Sequence, residues 1–260
     1  EFTTCFLVKK SELPFLKPSN RLFAALVWVG LAFAALVGCT SDKRFDELPT
    51  SHTGIAFSNR ILEHDTMNIL AFEYIYNGGG VAVGDFNNDS LPDLYFTANM
   101  GPSRLYLNRG GFRFEDVTEQ AAVDGQGRWA SGVAVVDINN DGLLDLYVCA
   151  TAHKSAERRA NMLYVNQGVT SQGVPHFKDM AADYGLADTT HTTMAAFFDY
   201  DNDGDLDLFL VVNQMEEKGL PNAYKTKIKD GSSPRTDRLY RNDWDATQQR
   251  PSFTDVSAQA

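Results

Sequence analysis

Short apolar segments alternate with polar turns along most of this chain, and three of the apolar segments run directly into acid-rich stretches. These three segments are rich in β-branched and aromatic side chains and lie at residues 81–84, 133–136 and 195–198. A second apolar segment leaves each acid-rich stretch, at residues 94–96, 146–148 and 208–210. Segments of this length and composition, bounded by turn formers, predict buried β-strands on both sides of each acidic stretch.

The strand pattern repeats beyond these pairs. The acidic stretches begin 52 and 62 residues apart, at Asp85, Asp137 and Asp199. Each is followed by a Leu-Tyr-x-Asn segment and a Phe-x-Asp segment: residues 105–108 and 114–116, 163–166 and 177–179, and 239–242 and 253–255. Four antiparallel strands in a period of about 40 to 60 residues are typical of a propeller blade. The sequence therefore predicts an all-β fold with three four-stranded blades, whose inner strands lie near residues 80–84, 132–136 and 194–198. Because propellers close with about four to eight blades, three blades indicate an incomplete β-propeller.

The acidic stretches are named loop 1 (residues 85–93), loop 2 (137–145) and loop 3 (199–207). Side-chain oxygens at loop positions one, three, five and nine, with a backbone carbonyl from position seven, can converge on one hard cation. Because Ca²⁺ takes about six to eight oxygen ligands, we expect about three calcium sites, each between the first and second strands of a blade. The predicted ligands are Asp85, Asn87, Asp89, Leu91 and Asp93 in loop 1, Asp137, Asn139, Asp141, Leu143 and Asp145 in loop 2, and Asp199, Asp201, Asp203, Asp205 and Asp207 in loop 3.

The spacing is that of an EF-hand loop, but the flanking residues argue against one. An EF-hand requires a bidentate Glu at position twelve and a helix on each side. Position twelve is Phe96, Val148 or Leu210, and both flanks predict strands. Loop 1 departs from the other two because it has Ser90, not Gly, at position six. Ordinary solvated acidic turns are the alternative, but such turns do not require the same spacing three times.

Together these units resemble the FG-GAP/VCBS repeats of integrin-α-type propellers. The segments 76–85 and 197–207 are also similar to a group of bacterial exported proteins related to cartilage acidic protein, in which a small ASPIC/UnbV domain often follows the propeller. The resemblance implies that the ion loops lie on one face and that partners bind the opposite face. That ligand face would carry Asn77, Trp129 and His191 at the blade entries, with the connections 97–103, 151–161 and 213–237.

The N-terminal region predicts export. An apolar stretch at residues 22–37 follows Lys9, Lys10, Lys17 and Arg21. At 16 residues it is short for a membrane-spanning helix, which needs about 20, and it suits the apolar part of a signal peptide. The segment Leu36-Val-Gly-Cys39 resembles the bacterial lipobox, which implies lipidation of Cys39 after cleavage. An uncleaved N-terminal anchor is the alternative.

These features predict the following division of the chain. Residues 1–38 are a lipoprotein signal peptide, 39–52 a linker and 53–76 an N-terminal segment, followed by blades at 77–128, 129–190 and 191–260. Residues 53–59 loosely echo the outer-strand segment and are expected to close the last blade. We expect the protein to be exported and lipid-anchored in the bacterial cell envelope, at the outer membrane or cell surface.

The charge of the chain limits the classes of binding partner, and its cysteine content limits the disulfides that it can form. The formal net charge is −11, and eleven acidic groups lie in the three loops, so much of the acidity belongs to the predicted metal sites. A chain this acidic is a poor polyanion binder, which argues against nucleic acid. Once Cys5 is removed with the signal and Cys39 is lipidated, Cys149 has no intramolecular partner and is expected to be a buried small hydrophobe.

Two functions stay open. The sequence shows no nucleophile elbow, no glycine-rich phosphate loop and no His/Cys metal set, which favours a non-catalytic, calcium-stabilised binding module that engages a glycan or protein. The alternative is an enzyme of polysaccharide or small-molecule turnover, with its active site in the propeller funnel and in sequence beyond residue 260. Two or three carboxylates, or Tyr and His side chains, converging at the channel mouth would favour the enzyme.

Overall fold

The computed structural model describes residues 45–213, 230–245, 247–248 and 250–259. It contains three four-stranded antiparallel sheets, each with its strands paired in chain order, which confirms the predicted all-β architecture. Blade 1 consists of β1 (Val81–Gly84), β2 (Asp93–Phe96), β3 (Arg104–Asn108) and β4 (Phe114–Asp116). Blade 2 consists of β5 (Trp129–Val136), β6 (Asp145–Thr151), β7 (Met162–Val169) and β8 (Pro175–Asp179). Blade 3 consists of β9 (Thr192–Phe198), β10 (Asp207–Val212), β11 (Arg238–Asp245) and β12 (Arg250–Asp255).

Short helices lie between these strands. A four-residue α-helix follows the outer strand of blades 1 and 2, at α2 (Thr118–Ala121) and α3 (Ala181–Tyr184), and a third of the same length, α1 (Thr50–Thr53), precedes blade 1. A 3₁₀ helix spans Glu157–Arg159. Within the described ranges no helix is long and apolar enough to cross a membrane.

Blade 2 packs on both of its faces. Because successive side chains of a strand point to opposite sides, Leu146 and Val148 of β6 join the core shared with blade 1, whereas Tyr147 and Cys149 join the core shared with blade 3. All seven residues of β6 are therefore buried. The first core also includes Tyr95, Leu105, Leu107 and Tyr164, and the second includes Leu163, Val165, Leu208, Leu210 and Phe253.

The first strands of neighbouring blades approach closely where a glycine stands five residues before the loop. A Cβ atom on Gly132 would lie 2.4 Å from the carbonyl oxygen of Thr193, and one on Gly80 would lie 3.1 Å from that of Ser131. The backbone N–H of Gly80 donates to the Ser131 carbonyl across 2.9 Å. The equivalent position of blade 3 is Met194, whose side chain is 61% exposed.

The segment before blade 1 contacts the outer strand of blade 1 in the way that the linker between blades 2 and 3 contacts the outer strand of blade 3. A Cβ atom on Gly54, which ends α1, would lie 2.6 Å from the Phe114 carbonyl oxygen, and one on Gly185, which ends α3, would lie 2.6 Å from that of Phe253. The ring of Phe57 then stacks on Phe96 of blade 1. Residues 53–59, which were expected to close the last blade, form no strand here, and Phe57 of this segment lies against blade 1.

Apolar side chains are exposed on the outer faces of the first and third sheets. On blade 1 they are Val81 and Val83, and on blade 3 they are Met194, Phe198 and Val211. The predicted signal peptide and Cys39 lie outside the described residues, as do Lys218, Lys225, Lys227 and Lys229 of the connection between β10 and β11.

Candidate functional site

The three acidic loops share one backbone course between the first and second strands of their blades. Position four of each loop is an Asn in the left-handed region, with φ of 56°, 57° and 62° for Asn88, Asn140 and Asn202. Position six is left-handed as well, at Ser90, Gly142 and Gly204. Asn tolerates this conformation better than most residues and Gly adopts it without steric cost. Two left-handed residues per loop curl the chain around its own carboxylates.

The carboxylate at position one faces the inside of this curl. In loop 2 the Asp137 Oδ1 accepts the backbone N–H of Asp141 at 3.0 Å, and its Oδ2 accepts that of Gly142 at 2.8 Å. Asp85 and Asp199 accept the equivalent N–H groups in their own loops. In loops 1 and 2 the N–H at position five also reaches the side-chain oxygen at position three, so the oxygens of positions one and three converge.

The carboxylate at position five turns toward position seven. Asp89 Oδ1 accepts the backbone N–H of Leu91 at 2.9 Å, and Asp141 Oδ1 accepts that of Leu143 at 2.8 Å. In loop 3 the N–H of Asp205 donates to Asp203 Oδ1 at 3.1 Å. Each loop therefore orients its acidic side chains through its own backbone amides.

The carboxylate at position nine is buried and ties the loop to the third strand. Asp145 Oδ2 accepts the N–H of Ile138 at 2.9 Å, and its Oδ1 accepts the N–H of Asn166 in β7 at 2.7 Å. Asp93 and Asp207 make the same two bonds in their blades, and all three residues have no exposed surface. Burial raises the pKa of Asp93 to about 6 and that of Asp145 to about 7, because desolvation disfavours the charged form.

Loop 3 brings the most carboxylates together. One oxygen each from Asp199, Asp201 and Asp207 lie within 4.8 Å of one another. Burial, with like charges nearby, raises the pKa of Asp201, and it raises the pKa of Asp205 to about 6. A bound cation would relieve this repulsion. Three hard oxygen donors at this separation, with no sulfur or imidazole among them, fit Ca²⁺.

Comparison with known proteins agrees with this architecture. Residues 85–148, which include loops 1 and 2, match the family described as the FG-GAP-like repeat. This segment of the chain is similar to an FG-GAP-like repeat. Loop 3 lies beyond the matched range, and its position-one and position-nine carboxylates make the same hydrogen bonds as those of loops 1 and 2.

Curated relatives support the same assignment. The chain is 32% identical over 136 residues to cartilage acidic protein 1 from Homo sapiens, which covers 52% of this chain and 19% of the relative. It is 31% identical to the proteins of that name from Xenopus tropicalis and Mus musculus, over 52% and 51% of this chain and 20% and 19% of the relatives. The matched region thus spans about a fifth of the length of these curated relatives. The resemblance to FG-GAP proteins of the cartilage acidic protein group is confirmed.

The three residues assigned to the opposite face have different surroundings. Asn77 is exposed. Trp129 is 9% exposed and packs edge-on against Phe72 at 5.7 Å, so its ring belongs to a small core. His191 is half-buried, with its Nδ1 3.5 Å from the Thr151 hydroxyl.

The sequence reasoning missed the asparagines that lock the loops. The side chain of Asn108 donates to the Pro92 carbonyl at 3.0 Å, and that of Asn242 donates to the Leu206 carbonyl at 3.1 Å. Asn166 donates to the Leu144 carbonyl and also, at 2.9 Å, to the Phe86 carbonyl of blade 1. The Leu-Tyr-x-Asn repeat contained the signal, since a polar residue ending an apolar strand at a fixed place indicates a specific partner.

Proposed function

We propose that this chain is the calcium-stabilised propeller part of an exported bacterial lipoprotein that binds a glycan or protein without catalysis. The observation that supports the proposal is the single backbone geometry shared by three acidic loops of equal length. A fold whose only task is to form turns has no need to place a buried carboxylate and two inward-facing ones at the same positions each time. Binding is favoured because the loop carboxylates accept backbone amides of their own loops, as suits ligands of a cation, and the sequence shows no nucleophile elbow.

Calcium would be held by the side chains at positions one, three, five and nine and by the position-seven carbonyl. The bound ion supplies positive charge where each loop collects three to five acidic groups. The protein supplies the orientation, because backbone amides fix the position-one carboxylates and the third strand fixes the position-nine carboxylates. The result would be a rigid edge that joins the first three strands of each blade.

Thermal unfolding with and without calcium tests the proposal. Sites of extracellular type bind Ca²⁺ with dissociation constants of about 10⁻⁴ to 10⁻³ M, so millimolar calcium should raise the melting temperature above that in chelator. Asp203→Ala should weaken this response, whereas Asp183→Ala, which removes an exposed acid outside the loops, should leave it intact. Identical melts of the wild-type chain in chelator and in calcium would contradict the proposal.

Export and anchoring are part of the same proposal. The basic residues before the apolar stretch 22–37 and the Leu36-Val-Gly-Cys39 segment support a lipidated N-terminus at Cys39. In a bacterial host, Cys39→Ser should abolish incorporation of labelled fatty acid and release the protein from the membrane fraction. Unchanged labelling and fractionation would instead indicate an uncleaved anchor.

The ligand is proposed to bind on the face opposite the ion loops. Asn77, which the resemblance assigns to that face, is exposed, and the connection 151–161 adds Lys154 and Arg158, which are exposed and cationic on an otherwise acidic chain. Loops at the end of a rigid sheet scaffold are common binding elements. Screening of glycans and envelope proteins against the wild-type chain and a Lys154→Glu/Arg158→Glu variant would test this surface, and equal binding by both would exclude these two cations from it.

A further inference from the structure

Blade 3 departs from blades 1 and 2 at several positions, and those positions line one cleft. The cleft has a volume of about 290 Å³ and lies between loop 2, loop 3 and the outer strands β11 and β12. Its walls include Asp137, Asn140, Asp205, Asn242, Trp244 and Pro251. It is on the loop side of the sheets and is thus separate from the ligand face proposed above.

The first departure is an unpaired amide oxygen. In blades 1 and 2 the Oδ1 of Asn108 accepts the backbone N–H of Gly110 at 2.9 Å, and that of Asn166 accepts the N–H of Gly168 at 3.0 Å. Asn242 is the equivalent residue of blade 3 and is only 6% exposed. Its Oδ1 is buried without a hydrogen-bond partner among the described residues. A buried acceptor left unpaired is costly, which indicates that something outside these residues satisfies it.

The second departure is a carboxylate in a position that is otherwise apolar. Position seven is Leu in loops 1 and 2 but Asp205 in loop 3. The Oδ1 of Asp205 is likewise buried without a hydrogen-bond partner in the described part of the chain. The two residues that carry these unpaired acceptors therefore line the same cleft.

The third departure is an exposed aromatic ring. Trp244 stands two residues after Asn242, where blades 1 and 2 have Gly110 and Gly168. Strand β11 continues through this position and pairs Trp244 with Pro251, so the strand holds the indole beside the cleft. The side chain is 62% exposed, and the exposed side chain of Leu206 also borders the cleft. A large flat apolar surface next to a few directed polar atoms is the usual composition of a small-molecule site.

We propose that this cleft binds a neutral sugar residue. The hydroxyl groups of a sugar would donate to Asn242 Oδ1 and Asp205 Oδ1, and the C–H face of its ring would lie on the Trp244 indole. Asn140, at the exposed rim, offers an amide that can both donate to and accept from hydroxyl groups, which also do both. The described residues that line the cleft include no Lys, Arg or His, which disfavours a uronate or phosphate ligand.

A small ammonium ion is the competing ligand, because it would also donate to two acceptors and could lie over an indole. The sugar is favoured by the mixed donor and acceptor character of the rim, which an ammonium ion cannot use. The assignment does not depend on what binds the opposite face.

Two variants that restore the residue of the other blades give a test with little risk to the fold. Asp205→Leu and Trp244→Gly each place in blade 3 the residue found at that position in blades 1 and 2. Binding of neutral hexoses and their disaccharides to the 260-residue chain in millimolar calcium would be measured by saturation-transfer NMR, with glucuronate and methylammonium as alternative probes. Phe112→Ala is the matched control, since Phe112 is 64% exposed and lies in blade 1.

We expect neutral saccharides to bind the wild-type chain and Phe112→Ala with dissociation constants in about the millimolar range, as suits a single small subsite. Both restoring variants should weaken binding at least tenfold, and Trp244→Gly, which changes no loop residue, should retain the calcium-dependent melting of the wild type. Binding that is equal in all four proteins would overturn the proposal and leave a sugar site on another face possible. Preference for methylammonium, or no binding of any probe, would also overturn it.

Discussion

The buried carboxylate of Asp145 accepts the backbone N–H of Asn166 across 2.7 Å, and so the end of an ion loop is fixed to the third strand of its own blade. The side chain of Asn166 in turn donates to the Leu144 carbonyl, the residue just before Asp145. The Asp145 side chain thus accepts from the backbone of Asn166, and the Asn166 side chain donates to the backbone next to Asp145. Because this lock uses only protein groups, it positions the loop before any cation arrives.

Asp145→Asn should destabilise the chain even when calcium is removed. An Asn side chain has one carbonyl oxygen, which cannot serve the N–H groups of both Ile138 and Asn166, so one buried donor loses its partner. The expected loss is about 1 to 3 kcal/mol in the free energy of unfolding. Urea denaturation in chelator measures it, with Asp183→Asn as an exposed control of the same charge change. Equal midpoints for the two variants would argue against the lock.

Ser90→Gly should stabilise loop 1. Ser90 has a φ of 69°, and the equivalent residues of the other loops are Gly142 and Gly204. A side chain in the left-handed region costs roughly 1 kcal/mol, which glycine avoids. We expect a gain of up to about 1 kcal/mol by urea denaturation in chelator. Ser58→Gly, at a position without positive φ, should give no gain.

Gly132→Ala should disturb the contact between blades 2 and 3. The new methyl group would meet the Thr193 carbonyl oxygen at 2.4 Å and the Met194 Cα at 3.1 Å, and backbone atoms cannot move aside as a flexible side chain can. A loss of about 1 to 3 kcal/mol is expected in thermal or urea unfolding. Gly101→Ala is the control, because no atom lies within 4 Å of its added Cβ. If both variants unfold alike, the close approach of the strands is wrong.

Cys149 should resist alkylation until the chain unfolds. Burial raises the pKa of its thiol from 9.0 to about 12, so the reactive thiolate is scarce in the folded protein. Raising the pH from 8 to 10 should speed the reaction of iodoacetamide with Cys149 in the urea-unfolded chain and leave the folded chain nearly unreactive. Peptide mass spectrometry separates Cys149 from Cys5 and Cys39. Alkylation of Cys149 at the same rate in both states would show that β6 is not buried on both faces.

Much of the fold was predictable because the same apolar segments and acidic stretches occur in each of the three repeats. The strands around each loop followed from apolar segments such as 146–148, and the carboxylate spacing indicated that acidic side chains converge within each loop. Position nine is a different case: spacing alone does not reveal that Asp145 is fully buried or that it accepts two backbone N–H groups, since its partner Asn166 is 21 residues away.

Other features depend on contacts between blades and could not be predicted from local pattern. Trp129 was expected on the ligand face because the resemblance implies it at a blade entry, but its packing edge-on against Phe72, from the segment before blade 1, was not predicted. The cleft beside Trp244 lies where the sequence of blade 3 differs from that of blades 1 and 2, so the repeated pattern does not predict it.

The residue five positions before each loop sets how closely the first strands of neighbouring blades can approach. Gly80 and Gly132 have no side chain at this position, so the neighbouring backbones come into contact. In blade 3 the same position carries the long, flexible side chain of Met194, which is exposed. Any body that packs against that side of blade 3 has to stand off from its backbone by that amount or displace the side chain. A sheet that packs there as closely as the first strands of blades 2 and 3 approach each other at Gly132 has to displace the Met194 side chain.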